Sequence, residues 1–324
     1  LQNVNASKEN LPDDVSTLLP SMQGIQAEES AYLDDDKVIY VSRPNDQNEK
    51  TSRRKIADNV EHVFDQQGSK ILFAKSLVIQ DEVGGTADLW AINTQTGKEK
   101  KIADSVGDAV LSPSGELIAT SNLVTGGIDL LTGDGVFLKK IGIYGALPLF
   151  SPDNKQIAYY KFASSSFDRD LPGNTIGIVI YDLNTEEEII VTNDSKDNNP
   201  IAFSADGKKL YFNSLRTSTQ SLWVVDLSSN AVKQLSNKSS IGSSLGGLDP
   251  LMNRNLLVSS DGLQMISLSY EDEIGMLVFK RNGEVESSKT LGKGSNLQWL
   301  AKDSVVAYRA QGFKGKYWEF VSVK

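Results

Sequence analysis

The sequence contains no cysteine and a single histidine, His62, among its 324 residues. The lack of cysteine excludes disulfides, thiolate nucleophiles and cysteine-ligated zinc or iron–sulfur sites. A metal site built from several histidines is impossible, and a Ser-His-Asp triad would have to use His62. The absence of thiols leaves the compartment open, although it is compatible with an oxidising exterior.

Long apolar runs are absent too. No stretch approaches the ~20 apolar residues of a membrane-spanning helix, and the run GIVIYDL from Gly177 has the length of a strand. The chain starts at Leu1, so we expect that an upstream segment, such as a signal peptide or membrane anchor, was removed. Basic residues are fewer than acidic ones, with 33 Lys and Arg against 42 Asp and Glu. The resulting net charge of -9 disfavours nucleic acid as a partner.

The first 28 residues differ from the rest of the chain. They are polar, contain two prolines and show little periodicity, which is typical of a linker or arm. From residue 29 to residue 324, short runs rich in Val, Ile, Tyr, Phe and Trp alternate with clusters of Gly, Asp, Asn and Ser. We therefore expect an arm over 1–28 and one all-β domain over 29–324.

A hairpin motif repeats along this domain. Its clearest copy is LFSPDNKQIAYYKF from Leu149, in which an apolar pair leads into a Ser-Pro-Asp-Asn turn and a β-prone run. Asp, Asn and Gly tolerate the left-handed conformations of tight antiparallel turns, and Pro presets one dihedral angle. Related copies are VFDQQGSKILFAK from Val63, VLSPSGELIATSN from Val110 and AFSADGKKLYFNS from Ala202.

A second hairpin, with a polar turn after Asn93, Asp182 or Asp226, follows the first in each repeat. Each repeat therefore holds four strands, and the repeats recur at steps of about 40 to 50 residues, the spacing of propeller blades. We predict a single β-propeller of four-stranded blades, with seven blades within a range of six to eight. The last repeat offers only three strands, so we predict that strands from both termini close the ring, with the missing outer strand inside 12–30.

These motifs resemble the WD-like repeats with Pro-Asp-Gly turns of the TolB-like β-propellers. The resemblance is carried by FSPDNKQIAYY, FSADGKKLYF, LSPSGELIA and the LW segments before Asn93 and Asp226, and it covers 29–324. The chain departs from TolB in lacking an α/β domain before the repeats, and from the related peptidases in lacking a Gly-x-Ser-x-Gly elbow. The resemblance implies an extracytoplasmic propeller, periplasmic or on the cell surface, of the kind that acts as a platform for other proteins.

In a propeller, the loops between second and third strands share one face with the links between blades. The long insertions of this sequence, such as SSSFDRDLPGN from Ser164, all fall on that face. We predict that it binds a protein partner through Phe167, Arg169, Arg216 and Phe313, which are side chains of the types that anchor interfaces. The alternative for each residue is a solvated loop, with either phenylalanine packed against a blade.

Other candidate sites have ordinary structural explanations. His62 could line the central channel as a base or ligand, but we expect it to pack within or at the edge of a blade. Asp34-Asp35-Asp36 could bind calcium, although the repeat places it at a solvated turn, and NDSKDNN from Asn193 is interpreted in the same way. We expect packing between blades, rather than carbohydrate stacking, for the tryptophans. These are Trp90, Trp223, Trp299 and Trp318.

Taken together, these patterns favour a monomeric, non-enzymatic protein-binding platform without a cofactor, calcium being the one alternative. No recognisable catalytic motif, Walker-type loop or dinucleotide fingerprint is found in the sequence. Two other functions stay open. One is a small-ligand or carbohydrate-binding propeller, or an enzyme, that uses the central channel. The other is the sensor domain of a larger membrane-anchored protein.

Overall fold

The structure is a computed structural model, and every structural statement below refers only to the residues that it describes. They are 3–4, 30–33, 37–42, 54–80, 84–122, 126–164, 175–194, 197–214, 216–217, 221–235, 256–258, 264–268, 273–280, 285–293, 295–300, 305–312 and 315–322. All regular secondary structure in these residues is β-strand, which confirms the all-β prediction. The division into an arm over 1–28 and a domain over 29–324 stays a prediction.

The described strands are short and follow one another along the chain. Their bounds are β1 Asn3–Val4, β2 Ser30–Leu33, β3 Ile39–Ser42, β4 Arg54–Ala57, β5 His62–Gln67, β6 Lys70–Gln80, β7 Gly84–Asn93, β8 Glu99–Leu111, β9 Leu117–Asn122, β10 Ile128–Thr132, β11 Phe137–Gly142, β12 Gly145–Phe150, β13 Gln156–Phe162, β14 Thr175–Asp182, β15 Glu188–Thr192, β16 Asp197–Phe203, β17 Lys209–Ser214, β18 Ser221–Asp226, β19 Val232–Gln234, β20 Leu256–Val258, β21 Gln264–Leu268, β22 Glu273–Phe279, β23 Val285–Lys293, β24 Ser295–Leu300, β25 Val305–Gly312 and β26 Gly315–Ser322.

These strands form antiparallel sheets in which neighbours in sequence are neighbours in space. The sheets run β2-β3-β4, β5 to β11, β12 to β15, β16 to β19, β20 to β23, and β24-β25-β26-β1. The long strand β8 pairs first with β7 and then with β9, so it is the outer strand of one four-stranded unit and the inner strand of the next. This up-and-down order is that of propeller blades. The number of blades in the ring stays a prediction.

The two ends of the chain meet in one sheet. Strand β1 pairs antiparallel with β26, with Asn3 opposite Val321 and Val4 opposite Phe320. Closure by strands from both termini therefore occurs, and it covers the outer edge that β26 would otherwise expose. The location of the closing strand within 12–30 was wrong, because the pairing residues lie at the very start of the chain, where the polar sequence gives no strand signal.

In two of the described units, the first hairpin turn is held by a serine and an aspartate. In the copy that follows β12, the Ser151 hydroxyl donates to Asp153 over 2.7 Å and accepts the backbone N–H of Gln156 at 2.9 Å. The Ser204 hydroxyl donates to Asp206 over 2.6 Å in the copy that follows β16. Side-chain oxygens thus take up backbone donors that a tight turn leaves without strand partners. The Ser-Pro-Asp-Asn motif therefore stabilises a hairpin turn, as its repetition along the sequence predicts.

The second hairpin turn uses a different device, an Asp or Asn that accepts hydrogen bonds from the next turn of chain. The Asp226 carboxylate accepts the hydroxyl of Ser228 at 2.6 Å and the backbone N–H of Ser229 at 3.0 Å. These hydrogen bonds, led by the one from the Ser228 hydroxyl, lower the pKa of Asp226 to about 2. Asn93 accepts backbone N–H groups in the same way at the equivalent turn.

Because the pKa of Asp226 is depressed in the folded state, its ionised form stabilises the fold above its ordinary pKa, and this contribution is lost as the pH falls through 3.8 towards about 2. Asp226→Asn keeps the acceptor and removes the charge. We expect the wild type to exceed this variant in unfolding free energy at about pH 5, and the difference to vanish near about pH 2. Urea unfolding across that range measures it.

The matched control is Asn93→Asp, which places a carboxylate in the equivalent turn and is expected to gain stability over the same pH range. A difference between the wild type and Asp226→Asn that is equal at both ends of the range would contradict the assignment of the low pKa to this turn.

The core lies between consecutive sheets. Apolar side chains from one sheet meet those of the next around the ring, so both faces of a central sheet are buried. Hydrogen bonds and ion pairs also cross these interfaces. The Lys70 ammonium donates to the backbone oxygens of Gly115 at 2.9 Å and Gly133 at 3.0 Å in the following unit, and Lys139 pairs with Glu186 of the next sheet at 2.6 Å.

Candidate binding face

The antiparallel order gives the ring two faces that differ in their connections. In the β12–β15 sheet, the turns over 151–155 and 183–187 lie at one end. The end of β13, the start of β14 and the end of β15 lie at the other. We call the first end the turn face and the second end the long-loop face. The same alternation holds in the other described units, so the predicted grouping of the insertions on one face is supported by the strand order.

A β-hairpin extends from the long-loop face. Strands β6 and β7 stay paired up to Gln80 opposite Gly84, whereas β7 pairs with β8 only from Ala87 onward. The outer part of the hairpin, which includes Val78 opposite Thr86, therefore continues beyond the sheet. Gly84 and Gly85 lie in strand β7 of this hairpin.

Of the four predicted partner-binding residues, the structure describes Arg216; Phe167, Arg169 and Phe313 lie outside the described residues. The Arg216 guanidinium approaches the Asp194 carboxylate, with Nε 3.4 Å from Oδ2, and it lies 5.4 Å from the centre of the Trp223 ring. Arg216 therefore ties the loop after β17 to the link after β15 and covers an indole. Its role in partner binding stays a prediction.

A second tryptophan is covered in the same way. The Lys75 ammonium lies 4.8 Å from the centre of the Trp90 ring and pairs with Glu99 at 2.6 Å. Trp90 and Trp223 occupy equivalent positions, three residues before Asn93 and Asp226, and each packs against an apolar cluster between sheets. Both indoles pack between blades, as the sequence interpretation expects, and cations from the long-loop face shield them from solvent. Strands β24 and β26 contain Trp299 and Trp318.

Buried polar side chains cluster at the end of β17 and the start of β18. Asn213, Ser214 and Ser221 are fully buried, and the Asn213 amide makes no hydrogen bond among the described atoms. A buried amide costs stability unless it is paired. Sequence reasoning missed this group, because Asn213 stands in a strand at a position where other units have Ala74 or Tyr160, and the sequence alone does not reveal its burial.

The remaining candidates from the sequence are His62 and the acidic segments that could bind a metal ion. His62 lies on the inner strand β5, half-buried, with its ring edge-on to Phe64 at 5.4 Å between centroids. The triple aspartate at 34–36 lies outside the described residues. Nowhere in the described ranges do three His, Asp or Glu side chains converge as metal ligands would. The described residues also contain no helix long and apolar enough to span a membrane.

A buried tyrosine network joins the β8–β11 unit to the β12–β15 sheet. The fully buried Tyr159 hydroxyl donates to Glu188, whose other oxygen accepts Lys161. Burial, and then the neighbouring Glu188 carboxylate, raise the pKa of Tyr159. The Tyr159 ring lies directly against the end of β11, where a Cβ on Gly142 would come within 2.7 Å of ring carbons. The end of β11 therefore needs glycine for this close approach of backbone to ring.

We expect Gly142→Ala to destabilise the protein by about 1 to 3 kcal/mol, because the added methyl overlaps a buried ring that cannot move aside. The cost should fall in a Tyr159→Leu background, where the overlapping ring carbons are gone. Chemical unfolding of the two single variants and the double variant measures this coupling. An equal cost of Gly142→Ala in both backgrounds would show that the ring contact is not its cause.

Comparisons with known proteins show the fold. No family model and no curated protein matches the chain. Among solved structures it is similar to the β-propeller domain of the Trilobed protease from Pyrococcus furiosus, with 10% identity, a TM-score of 0.57, and coverage of 89% of this chain and 86% of that one. That domain has an open velcro topology.

Two further structures are similar over most of the chain. A protein provisionally assigned as TolB, from Agrobacterium tumefaciens, has 19% identity, a TM-score of 0.50, and coverage of 84% of this chain and 94% of that one. A protein provisionally assigned as a 6-phosphogluconolactonase, from Bacteroides uniformis, has 13% identity, a TM-score of 0.53, and coverage of 92% and 97%. The chain therefore has a TolB-like β-propeller fold, a scaffold that its structural neighbours use for different functions.

Proposed function

We propose that this chain is a non-enzymatic protein-binding platform of the bacterial cell envelope or surface, and that it holds its partner on the long-loop face. The observation that carries the proposal is the difference between the two faces. The turn face repeats the same short, internally hydrogen-bonded turns. The long-loop face carries an extended hairpin at Val78 and the contacts of Arg216 with Asp194 and Trp223.

Such a face suits a protein partner. Loops and hairpins on a rigid scaffold vary without disturbing the fold, and arginine and aromatic side chains supply much of the binding energy at protein interfaces. Arg216 is preorganised by Asp194 and Trp223, so a partner that contacts it would meet an ordered cation rather than a flexible one. The envelope location follows from the resemblance of the repeats to TolB-like propellers and agrees with the absence of cysteine.

Because the chain has no cysteine, single-cysteine variants can test directly which face binds the partner. Single-cysteine variants Val78→Cys, on the hairpin, and Gln95→Cys, on the turn face, are labelled with a photo-crosslinker. Each is then exposed to an envelope extract of the organism that encodes the chain. We expect one reproducible protein adduct from position 78 and none from position 95. Adducts from position 95 alone would place the interface on the turn face, against the proposal.

Capture by the intact chain and by an Arg169→Ala/Arg216→Ala variant tests the predicted anchors. We expect the double variant to lose at least about tenfold in affinity for the captured protein, as the loss of interface arginines does elsewhere. Asp194→Asn is the control, because it removes the ion pair and keeps Arg216. Capture that survives in Asp194→Asn and fails in the arginine variant indicates direct contact. Capture unchanged in both would exclude these residues as anchors.

A further inference from the structure

The outer part of the β6–β7 hairpin is a two-stranded segment that continues beyond its sheet. Strand β5 pairs with β6 only as far as Ala74, and strand β8 pairs with β7 only from Ala87 onward. Beyond these residues, 78–80 of β6 pair with 84–86 of β7. We call these two stretches the ribbon. Within the described strands, both outer edges of the ribbon lack a ladder partner.

A β-bulge separates the ribbon from the sheet. The register of the two strands shifts between Lys75 and Val78, so that two residues of β6 face the single Ala87 of β7. The first of these two residues, Ser76, has a left-handed backbone with a φ of 57°. A bulge of this kind bends the strand that contains it and increases the local twist. The bulge at Ser76 therefore fixes the point at which the ribbon bends relative to the sheet.

The two strands of the ribbon differ in their exposure to solvent. Val78 on β6 is 54% exposed, whereas Thr86, the residue opposite it on β7, is only 5% exposed. Ser76, at the base of the β6 side, is exposed as well. Residues that pair across two strands lie on the same face of the ribbon. The difference therefore indicates that the β7 side is turned towards the rest of the molecule, and that the outer edge of β6 is the one another chain can reach.

The ribbon lacks the charged residues that protect other exposed edges. Residues 76–80 are Ser-Leu-Val-Ile-Gln and residues 84–86 are Gly-Gly-Thr, so neither strand carries a charge here. The outer strands of the described units instead expose charged side chains, such as Lys100, Lys140 and Glu188. Charge on an edge strand disfavours pairing with another chain. Its absence from an exposed, β-prone edge therefore favours pairing at the ribbon.

We propose that the edge of β6 at 78–80 binds an extended segment of the protein partner, which pairs with it as an added β-strand. This inference rests on the function proposed above, because it states how the long-loop face holds its partner. In strand addition, backbone N–H and C=O groups supply the affinity and alternate side chains supply the specificity. A two-stranded ribbon is marginally stable in water, so a third strand also stabilises the ribbon itself.

The chemistry of the ribbon defines the segment that fits it. The edge offers uncharged, β-branched neighbours, which pair best with β-branched or aromatic residues on the added strand. The connection at the tip of the ribbon is Asp81-Glu82-Val83, and the whole chain carries a net charge of -9. This charge repels an acidic segment and attracts a basic residue beside the added strand. The expected occupant is therefore an extended, β-branched segment of neutral or basic charge.

Proline substitution tests whether the backbone of this edge is used. Successive residues of a strand direct their N–H groups to opposite edges, so one of Val78→Pro and Ile79→Pro removes a donor from the open edge. That variant is recognised by an unfolding midpoint equal to the wild type's, because proline is tolerated on a free edge. Peptides selected on the wild-type chain from a displayed library of random sequences should bind it at least about fivefold more weakly.

The matched control is alanine at the same position, which trims the side chain and keeps the N–H group. We expect the alanine variant to bind the selected peptides more tightly than the proline variant does. Equal losses in the two variants would assign the contact to the side chain and overturn strand addition. A library that yields no peptide sensitive to the proline variant would overturn it too.

Hydrogen exchange of the backbone amides tests the pairing without a variant. The amide at 78–80 that faces the open edge should exchange at least about tenfold more slowly when a selected peptide, or the protein captured from the envelope extract, is bound. A captured protein that leaves exchange at 78–80 unchanged would overturn strand addition, while the proposed function would stand. Slowed exchange with the peptides, but no captured protein, would count against the proposed function and support the strand-binding edge.

The mass of the chain alone excludes a second copy as the occupant. We expect sedimentation to give 35.3 kDa at every concentration, with exchange at 78–80 independent of concentration. A mass that rises towards twice this value, together with slower exchange at 78–80, would identify a second copy at the edge and overturn the proposal.

Discussion

The burial of sheet faces against each other is the interaction on which the rest of this structure depends. Each central sheet presents apolar side chains on both sides, and each packs between its two neighbours in the ring. A sheet buried on both faces has no surface left for function except its edges and its connections. The inner and outer edges, the turn face and the long-loop face are therefore the places where this protein differs from one unit to the next.

The connections on the turn face are uniform because they have a backbone task. A serine–aspartate pair holds the first turn in two units, and Asn93, Asp182 or Asp226 accepts backbone N–H groups in the second turn of three units, so these short connections satisfy their own donors. The long-loop face differs in its sequence, which carries the long insertions. Its connections vary in length, and its ordered features come from tertiary contacts, such as the Arg216 cation over Trp223 and beside Asp194. This asymmetry is why we place partner binding on that face.

The outer rim is the remaining surface. The described outer strands expose charged side chains, such as Lys100, Lys140 and Glu188, and charge on an edge strand disfavours pairing with another chain. The outer edge of β26 is covered by β1, where the two ends of the chain meet in one sheet.

The sequence by itself determined the local elements. The Ser-Pro-Asp-Asn turn, the Asp226 turn and the four-strand repeat follow from dihedral preferences and period-2 patterning, which act over a few residues, and the structure confirms the all-β fold and its strand order. Only the tertiary structure decided where distant residues meet. Strand β1 pairs with β26 from residues with no strand signal, and the β6–β7 hairpin stays paired up to Gln80 opposite Gly84.

The same holds for the candidate site. The sequence indicated the face and named Arg216, but the contacts of Arg216 with Asp194 and Trp223 depend on the packing of the link before β16 beside the loop after β17. The burial of Asn213 and the contact of Gly142 with the Tyr159 ring likewise come from the packing of one sheet on the next. Residue types reveal what the chain can do locally, whereas burial and long-range contact are properties of the assembled ring.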